Sequence, residues 1–399
     1  MTKTTFIDFF PEVADYIHKH ITALAGGIQA NHKLIWFGHM NYQRIALLNK
    51  ALSGKGLGLR YIIDNNPKKW GFMAADKVLT LPPQQITPDC STIVVVPPRH
   101  KNAMTEQLLS LGFPNEQIVI LPTAAEFPKS DEKLGRFSDL RQMELRELQL
   151  CYLDILKALR DFCDANGLKY FIANGTLLGA VRHQGFIPWD TDIDVYMPFE
   201  DMQKFFSTYP NDNDSPYKTE TWMECFNKSI MSPINRFVDS RAIRLNMGNF
   251  EFVYRVVPLG IGIVPLHGFP ATPDEIQQRF SLGKELLASW QRWHRLKEFD
   301  SSIPDIREDI LKLQNSHSFY HSPIVGLANG WFLSASGYGT FALPYSDFSE
   351  SVLLKFEDDY FSAPVGYDSY LRTLYGDYMQ LPPEDKRKAF TSEFSPYWL

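Results

Sequence analysis

The chain has 399 residues, 44% of them hydrophobic and 22% charged, and carries a formal net charge of −6. Values this near globular averages exclude wholesale disorder, and the length provides for two or three domains with separate cores. The acidic balance excludes a dominant electrostatic partnership with nucleic acid or with an anionic membrane.

Four cysteines, Cys90, Cys151, Cys163 and Cys225, are far apart and form no CxxC pair, the pattern of free thiols in a reducing compartment. The opening MTKTTFIDFFPEVADYIHKH has no uninterrupted apolar core of a signal peptide. The longest aliphatic runs, such as Ile93 to Val96, are of strand length, too short for a transmembrane segment. A cytoplasmic protein is expected, with any membrane contact peripheral. The aromatic share, 14%, fits a bulky core as well as sugar-stacking surfaces.

The first 130 residues alternate short apolar runs with helix-compatible stretches. Leu34–Phe37 is followed by Gly38 and a helical pattern through Leu47 and Leu48; Tyr61–Ile63, Thr92–Val96 and Gln117–Leu121 are the later runs. Apolar strands alternating with helices predict a parallel, Rossmann-like α/β domain over 1–130. A dinucleotide fingerprint requires three spaced glycines after the first strand, for a tight turn and close approach of a pyrophosphate. The segment here is Gly38-His39-Met40-Asn41-Tyr42-Gln43, so Met40 and Gln43 occupy positions where backbone must approach phosphate. Asp64 ends the second run but precedes Asn65-Asn66-Pro67, where it serves equally as a turn former. A structural or partner-binding module without NAD(P) or FAD is expected.

Pro128 to Gly135 reads as a linker, and the second domain, 131–399, opens on a long amphipathic helix from about Asp139 to Asn166, stopped by Gly167. Thr272-Pro273-Asp274-Glu275 is a capping box opening another helix towards Phe299. The chain has no internal repeat.

The chemistry is concentrated in Tyr170 to Val195. Tyr170–Ala173 predicts a strand leading into Gly175-Thr176, and Thr176 to about His183 a short helix whose amino end offers unpaired amides to phosphate. Gly185 breaks that helix, and Asp192 to Tyr196 predicts the next strand. Alternation sets Asp192 and Asp194 on one strand face, roughly 6.5–7 Å apart, near enough to share a divalent ion. Asp190, just ahead, can join them. Hard carboxylate oxygens suit Mg2+ or Mn2+ bridged to substrate phosphates.

The segment GTLLGAVRHQGFIPWDTDIDV resembles the signature of the LicD family, whose usual form has three consecutive aspartates where this chain reads Asp190-Thr191-Asp192. The resemblance extends to Leu148-Gln149-Leu150, Val264 to Gly268, Lys355-Phe356-Glu357, Tyr367 to Leu371 and Tyr375 to Met379, and so covers about Asp139 to Leu399. It is also similar here to the fukutin-related proteins. The resemblance implies an α+β nucleotidyltransferase-like domain that moves a phospho-alcohol such as phosphocholine from a CDP-alcohol donor. The implied acceptor is a sugar hydroxyl of a glycan or lipid-linked glycan, as in lipopolysaccharide or teichoic acid. Gly175 and Thr176 would contact donor phosphate, and Asp190, Asp192 and Asp194 would handle metal. Arg182 is an anion contact or a partner of the aspartates. Lys355 and Glu357, on an expected strand Ser351–Phe356, serve the site or pair with each other at the surface. His183 reads as structural or surface.

One departure stands out. Relatives are expected to carry a third carboxylate in a block resembling Ile-Asp-Ile-Phe-Pro-Leu-Asp, where this chain has Ile261-Gly262-Ile263-Val264-Pro265-Leu266-His267. Asp190, Asp239 or Glu251 compensates, or the site is weakened. Two further readings therefore stand beside phosphotransfer: nucleotidyl transfer with release of pyrophosphate, and a catalytically silent binding or scaffold subunit.

Overall fold

A computed structural model describes residues 5–23, 33–38, 42–71, 78–98, 100–123, 126–127, 140–212, 214–221, 235–247, 253–296, 306–327, 341–387 and 394–399. The expected linker, His39, Met40, Cys225 and Glu251 lie outside these residues.

The N-terminal elements are β1 (Thr5–Asp8), α1 (Phe10–Thr22), β2 (Lys33–Phe37), α2 (Tyr42–Ser53), β3 (Leu59–Ile63), β4 (Leu79–Leu81), β5 (Thr92–Val96), α3 (Lys101–Ser110) and β6 (Ile118–Ile120). Strands β2 to β6 form a wholly parallel sheet in the order β4-β3-β2-β5-β6. Parallel strands are covered on both faces, which is why these read as unbroken apolar runs. Trp36 and Val95 meet Ile17 of α1 and Leu48 of α2 on one side. Phe37, Val94 and Val96 meet Leu108 of α3 on the other. All four expected runs are strands; the short β4 adds a fifth. Gly38 leaves β2 at φ +95, a left-handed turn that glycine makes without steric cost.

The rest of the chain supplies α4 (Leu145–Asn166), β7 (Phe171–Ile172), α5 (Asn174–His183), β8 (Asp194–Pro198), α6 (Phe199–Thr208), β9 (Tyr217–Glu220), β10 (Asn235–Met247), β11 (Val253–Phe269), α7 (Pro273–Leu296), α8 (Arg307–Asn315), β12 (Ile324–Gly326), β13 (Ala342–Pro344), β14 (Ser351–Phe356), β15 (Asp359–Pro364), α9 (Tyr367–Tyr375) and β16 (Phe394–Trp398). Long β10 and β11 pair antiparallel, with a bulge between Asp239 and Ile243. Strand β8 runs parallel to β11, with Asp194 opposite Gly262, so the sheet is mixed. Strand β1 lies outside the parallel sheet and pairs with the start of β11, Thr5 opposite Val256. Phe9, Phe10 and Ile17 accordingly share a core with Ile243 and Val256.

Helix α4 buries Leu148, Tyr152, Ile155, Leu156 and Leu159 and ends at Gly167 with φ +61, as its spacing predicts. Helix α7 opens on the expected capping box: Thr272 Oγ1 donates to Glu275 Oε2 at 2.6 Å and the Glu275 amide returns to Thr272 at 3.4 Å. Several boundaries differ from expectation. Helix α4 starts at Leu145 rather than near Asp139, Gln142 instead bridging to Tyr397, and β7 keeps only Phe171–Ile172 of the expected Tyr170–Ala173. Helix α5 starts at Asn174 rather than Thr176. Strand β8 starts at Asp194 rather than Asp192, because the ladder with β11 begins only at the Gly262 pairing. Asp192 is therefore a loop residue, and the shared-strand-face argument for it does not hold.

Candidate active site

Helix α5 and the loop 184–193 meet at the head of β8. The pivot is Gly175: a β-carbon there would stand 2.8 Å from Asp190 Oδ2 and 4.0 Å from Asp194 Oδ2. Both carboxylates thus lie against the amino end of α5, and a β-carbon at 175 would push the Asp190 carboxylate aside. The Asn174 side chain and the Gly175 amide both favour the charged form of the Asp194 carboxyl. Thr176 is buried, and its hydroxyl accepts the Asp194 amide at 2.9 Å. The positive end of α5, expected to cradle phosphate, here braces a carboxylate.

The three aspartates repel one another. Burial, then the charge of Asp192, pushes Asp190 up to about 7. Burial, then Asp192 and Asp190, holds Asp194 well above the usual carboxylate range against these two influences. Asp192 is exposed, and its charge bears on both neighbours. Negative charge concentrated in this way calls for a cation, and oxygen donors suit a hard divalent one. Among the described residues no three His, Cys, Asp or Glu side chains are arranged to enclose an ion. The arrangement fits an ion held by two carboxylates and completed by substrate oxygens, the usual habit of magnesium.

Several supports were not visible in the sequence. Gln149 of α4 is buried and donates to the Asp190 carbonyl at 3.0 Å, fixing the loop from below. Arg244 of β10 donates to the Thr191 carbonyl at 3.2 Å and lies over the Tyr152 ring, 5.7 Å from its centre. Across the sheet, Asp194, Gly262, Arg236 and Glu220 stand in register. Arg236 Nη1 meets Glu220 Oε2 at 3.0 Å, placing an ion pair one strand beyond Gly262.

Other expected site residues act at a remove. Arg182 donates to the carbonyls of Tyr378 and Gln380 at 2.8 and 3.2 Å, tying α5 to the 376–380 segment instead of to an aspartate. Glu357 is not on β14 but in the turn after it, at φ +61. It takes the Phe186 amide at 3.0 Å and pairs with Arg146, 3.1 Å from Nη1, so the expected pairing with Lys355 is replaced. Lys355 is exposed on β14, opposite Tyr360. His183 is half-buried, near the Arg182 Nε at 3.4 Å and edge-on to Trp189. Of the possible substitutes for a third carboxylate, Asp239 is buried and paired with Arg241 at 2.7 Å, and strand alternation turns it to the opposite face from Asp194. Asp190 is the one beside the site. His267 faces away from Gly262 by the same alternation. It is fully buried against Phe199, its Nδ1 donating to the Gln314 carbonyl at 3.0 Å.

The acidic cluster thus sits at the head of β8, braced by the amino end of α5. Residues 167–253 match the family model described as LicD/FKTN/FKRP, nucleotidyltransferase domain. The lipopolysaccharide cholinephosphotransferase LicD of Haemophilus influenzae is 28% identical over 266 residues, covering 62% of this chain and 96% of that relative. The ribitol 5-phosphate transferase FKRP of mouse is 41% identical over 54 residues, 12% of this chain and 11% of its own. An uncharacterized protein of Rickettsia typhi, RT0683, is 38% identical over 89 residues, 22% of this chain and 27% of its own. No helix among the described residues is long and apolar enough to cross a membrane.

Proposed function

We propose that this chain is a transferase of the LicD type that moves a phospho-alcohol, phosphocholine or a similar group, from a CDP-linked donor to a sugar hydroxyl of a glycan. The observation that carries this reading is the convergence of Asp190 and Asp194 on Gly175, with Asp192 beside them. The two named transferases among the relatives support the group transferred and the glycan acceptor. Asp192 and Asp194 would hold a magnesium or manganese ion. Such an ion supplies neutralisation of the donor diphosphate.

The acceptor oxygen forms a bond to the alcohol-bearing phosphorus while the phosphorus–oxygen bond to CMP breaks, CMP leaving with the electron pair. Asp190, whose carboxyl is pushed up to about 7 by burial and by the charge of Asp192, takes the acceptor proton. Gln149 and Glu357 keep the loop that carries Asp190 in place. Arg244, beside that loop, offers a fixed positive charge to the donor phosphates. The N-terminal parallel sheet is read as a Rossmann-like module without a dinucleotide, since its first turn keeps one of three required glycines.

Incubation of the full chain with Mg2+, a panel of CDP-alcohols and glycan acceptors tests this reading. CMP release is expected, falling at least ~100-fold in Asp194→Asn. Pyrophosphate release would mean nucleotidyl transfer instead. Neither product, together with no divalent-ion binding, would mean a silent binding subunit.

A further inference from the structure

We propose that the β14–β15 hairpin is a clamp on the loop that carries Asp190, with Glu357 as its positioning residue and Gly185 as the seat that admits its carboxylate. The two strands form a sheet of their own, and the pairing of Phe356 with Asp359 leaves Glu357 and Asp358 as the turn. Three successive acids here are matched to bases along α4: Glu357 to Arg146 at 3.1 Å, Asp358 to Lys157 at 3.0 Å and Asp359 to Arg160 at 2.6 Å. Exposed pairs add little to stability one by one, but three in a row fix where the turn lies.

From there Glu357 grips the loop at two points. Its amide donates to the Gln184 carbonyl at 2.8 Å, and its Oε1 accepts the Phe186 amide at 3.0 Å. The Phe186 ring packs on Phe356, with centroids 4.8 Å apart. The Asp190 amide in turn donates to the Ile187 carbonyl at 2.8 Å, so a shift at Phe186 is passed to Asp190 within one tight turn. Arg146 also donates to Gln149 Oε1 at 3.3 Å, and Gln149 holds the Asp190 carbonyl. One guanidinium thereby joins the outer grip on Phe186 to the inner grip on Asp190. Two features mark Glu357 as more than a surface acid. It holds φ +61, a region that strains most side chains and that glycine or asparagine occupies with less strain. A β-carbon at Gly185 would stand 2.5 Å from Glu357 Oε1 and 3.0 Å from its carboxyl carbon. The glycine at 185 and the strained glutamate at 357 are two halves of one contact.

The test uses the full chain as wild type, Glu357→Gly, Gly185→Ala and the double variant, with hydrogen exchange of the 184–190 amides read by mass spectrometry. Glu357→Gly suits the positive φ and removes the carboxylate, while Gly185→Ala displaces it. Each should speed exchange of the segment at least about tenfold, with α4 and β8 exchanging as in wild type. In the double variant the atoms that the alanine would strike are gone, so Gly185→Ala should add nothing to Glu357→Gly. Unchanged exchange in Glu357→Gly, or two effects that multiply, overturns the proposal. The kinetic arm rests on the transferase reading: kcat for CMP release should fall at least about tenfold in both single variants, with donor and acceptor KM unchanged. Glu357→Gln, which keeps an oxygen for the Phe186 amide, should stay within about threefold of wild type. A change in KM alone, or Glu357→Gln as poor as Glu357→Gly, overturns the positioning role. If wild type releases no CMP, the transferase reading fails by itself, and the exchange data still decide the clamp. If Glu357→Gly does not fold, Glu357→Asn, which also suits the positive φ and is one carbon shorter, should fold and show the same faster exchange; wild-type exchange in it overturns the proposal.

Discussion

Restoring an acid at Gly262 is the most direct probe of this site's charge balance. Gly262 lies in β11, outside the left-handed region, so a side chain there meets no backbone strain. Its register partners are Asp194 on β8 and Arg236 on β10. Neighbouring strands are about 4.8 Å apart, so an aspartate at 262 would set its charge ~5 Å from that of Asp194 and from that of Arg236. At an effective dielectric of ~20 each interaction is worth roughly 3 kcal/mol, with opposite signs. Asp194, whose carboxyl already holds its proton more readily than usual, can shed its charge while the attraction to Arg236 remains, so Gly262→Asp should fold with a stability close to wild type. With a divalent ion the balance shifts, because repulsion between the two carboxylates becomes joint attraction to the cation. Magnesium or manganese affinity should rise at least about tenfold, a change of ~1.4 kcal/mol, and turnover should rise with it. Calorimetric titration of the metal, followed by CMP release, reads both. A folded variant with unchanged metal affinity would refute the reasoning: the new carboxylate would then be spent on Arg236, in competition with Glu220.

Three further outcomes follow from the packing. In Gly175→Ala the added carbon meets only the tip of the Asp190 side chain, so the melting temperature should hold within a few degrees while transfer falls at least about tenfold; full activity would mean that Asp190 is not needed where it stands. In Gly179→Ala the added carbon meets the Gly185 carbonyl oxygen at 2.5 Å, and stability should drop by roughly 1–3 kcal/mol in denaturant titration, whereas a neutral change would mean that the 184–190 loop gives way freely. Burial, and then Arg279, holds His267 down to about 3, so its contribution is fully present above the unfolded value near 6.5 and is lost as pH falls from there towards 3. At pH 5 the loss is about 2 kcal/mol, and His267→Gln should show that much less destabilisation between pH 7 and pH 5; equal slopes would mean that His267 takes up a proton in the folded state.

What could be read in the sequence had a local cause. The strands β2 and β5 announce themselves because double burial makes them almost continuously apolar, β3 and β6 by shorter apolar runs, and α4 because its stripe recurs at helical spacing. The meeting of Gly175 with the aspartates is local too, spanning twenty residues. What escaped depends on distant partners. Nothing near Asn174 indicates that its side chain takes the hydroxyl of Tyr370, 196 residues away. Alternation gives the face of a residue but not where a ladder begins, so Asp192 was placed on a strand that starts two residues later. Arg182 and Glu357 were recognisable as charged residues, but their partners, two carbonyls and Arg146, are chosen by tertiary packing. Arg244 carries no signal at all, being one polar residue among many on a strand.

Strand β11 has a mechanical consequence. Its start is paired with β1, its middle lies beside Asp194, and its end carries His267 and pairs with β12. A single rod of backbone therefore runs from the N-terminal core, through the aspartate cluster, to the far side of the second region. Because Phe9, Phe10 and Ile17 share one core with Ile243 and Val256, the two regions cannot melt in isolation without exposing a common apolar surface. Heating should produce one cooperative transition rather than two. Trimming the first ten residues would unzip one end of that rod, so a cut at the N-terminus would soften the protein well beyond the segment removed.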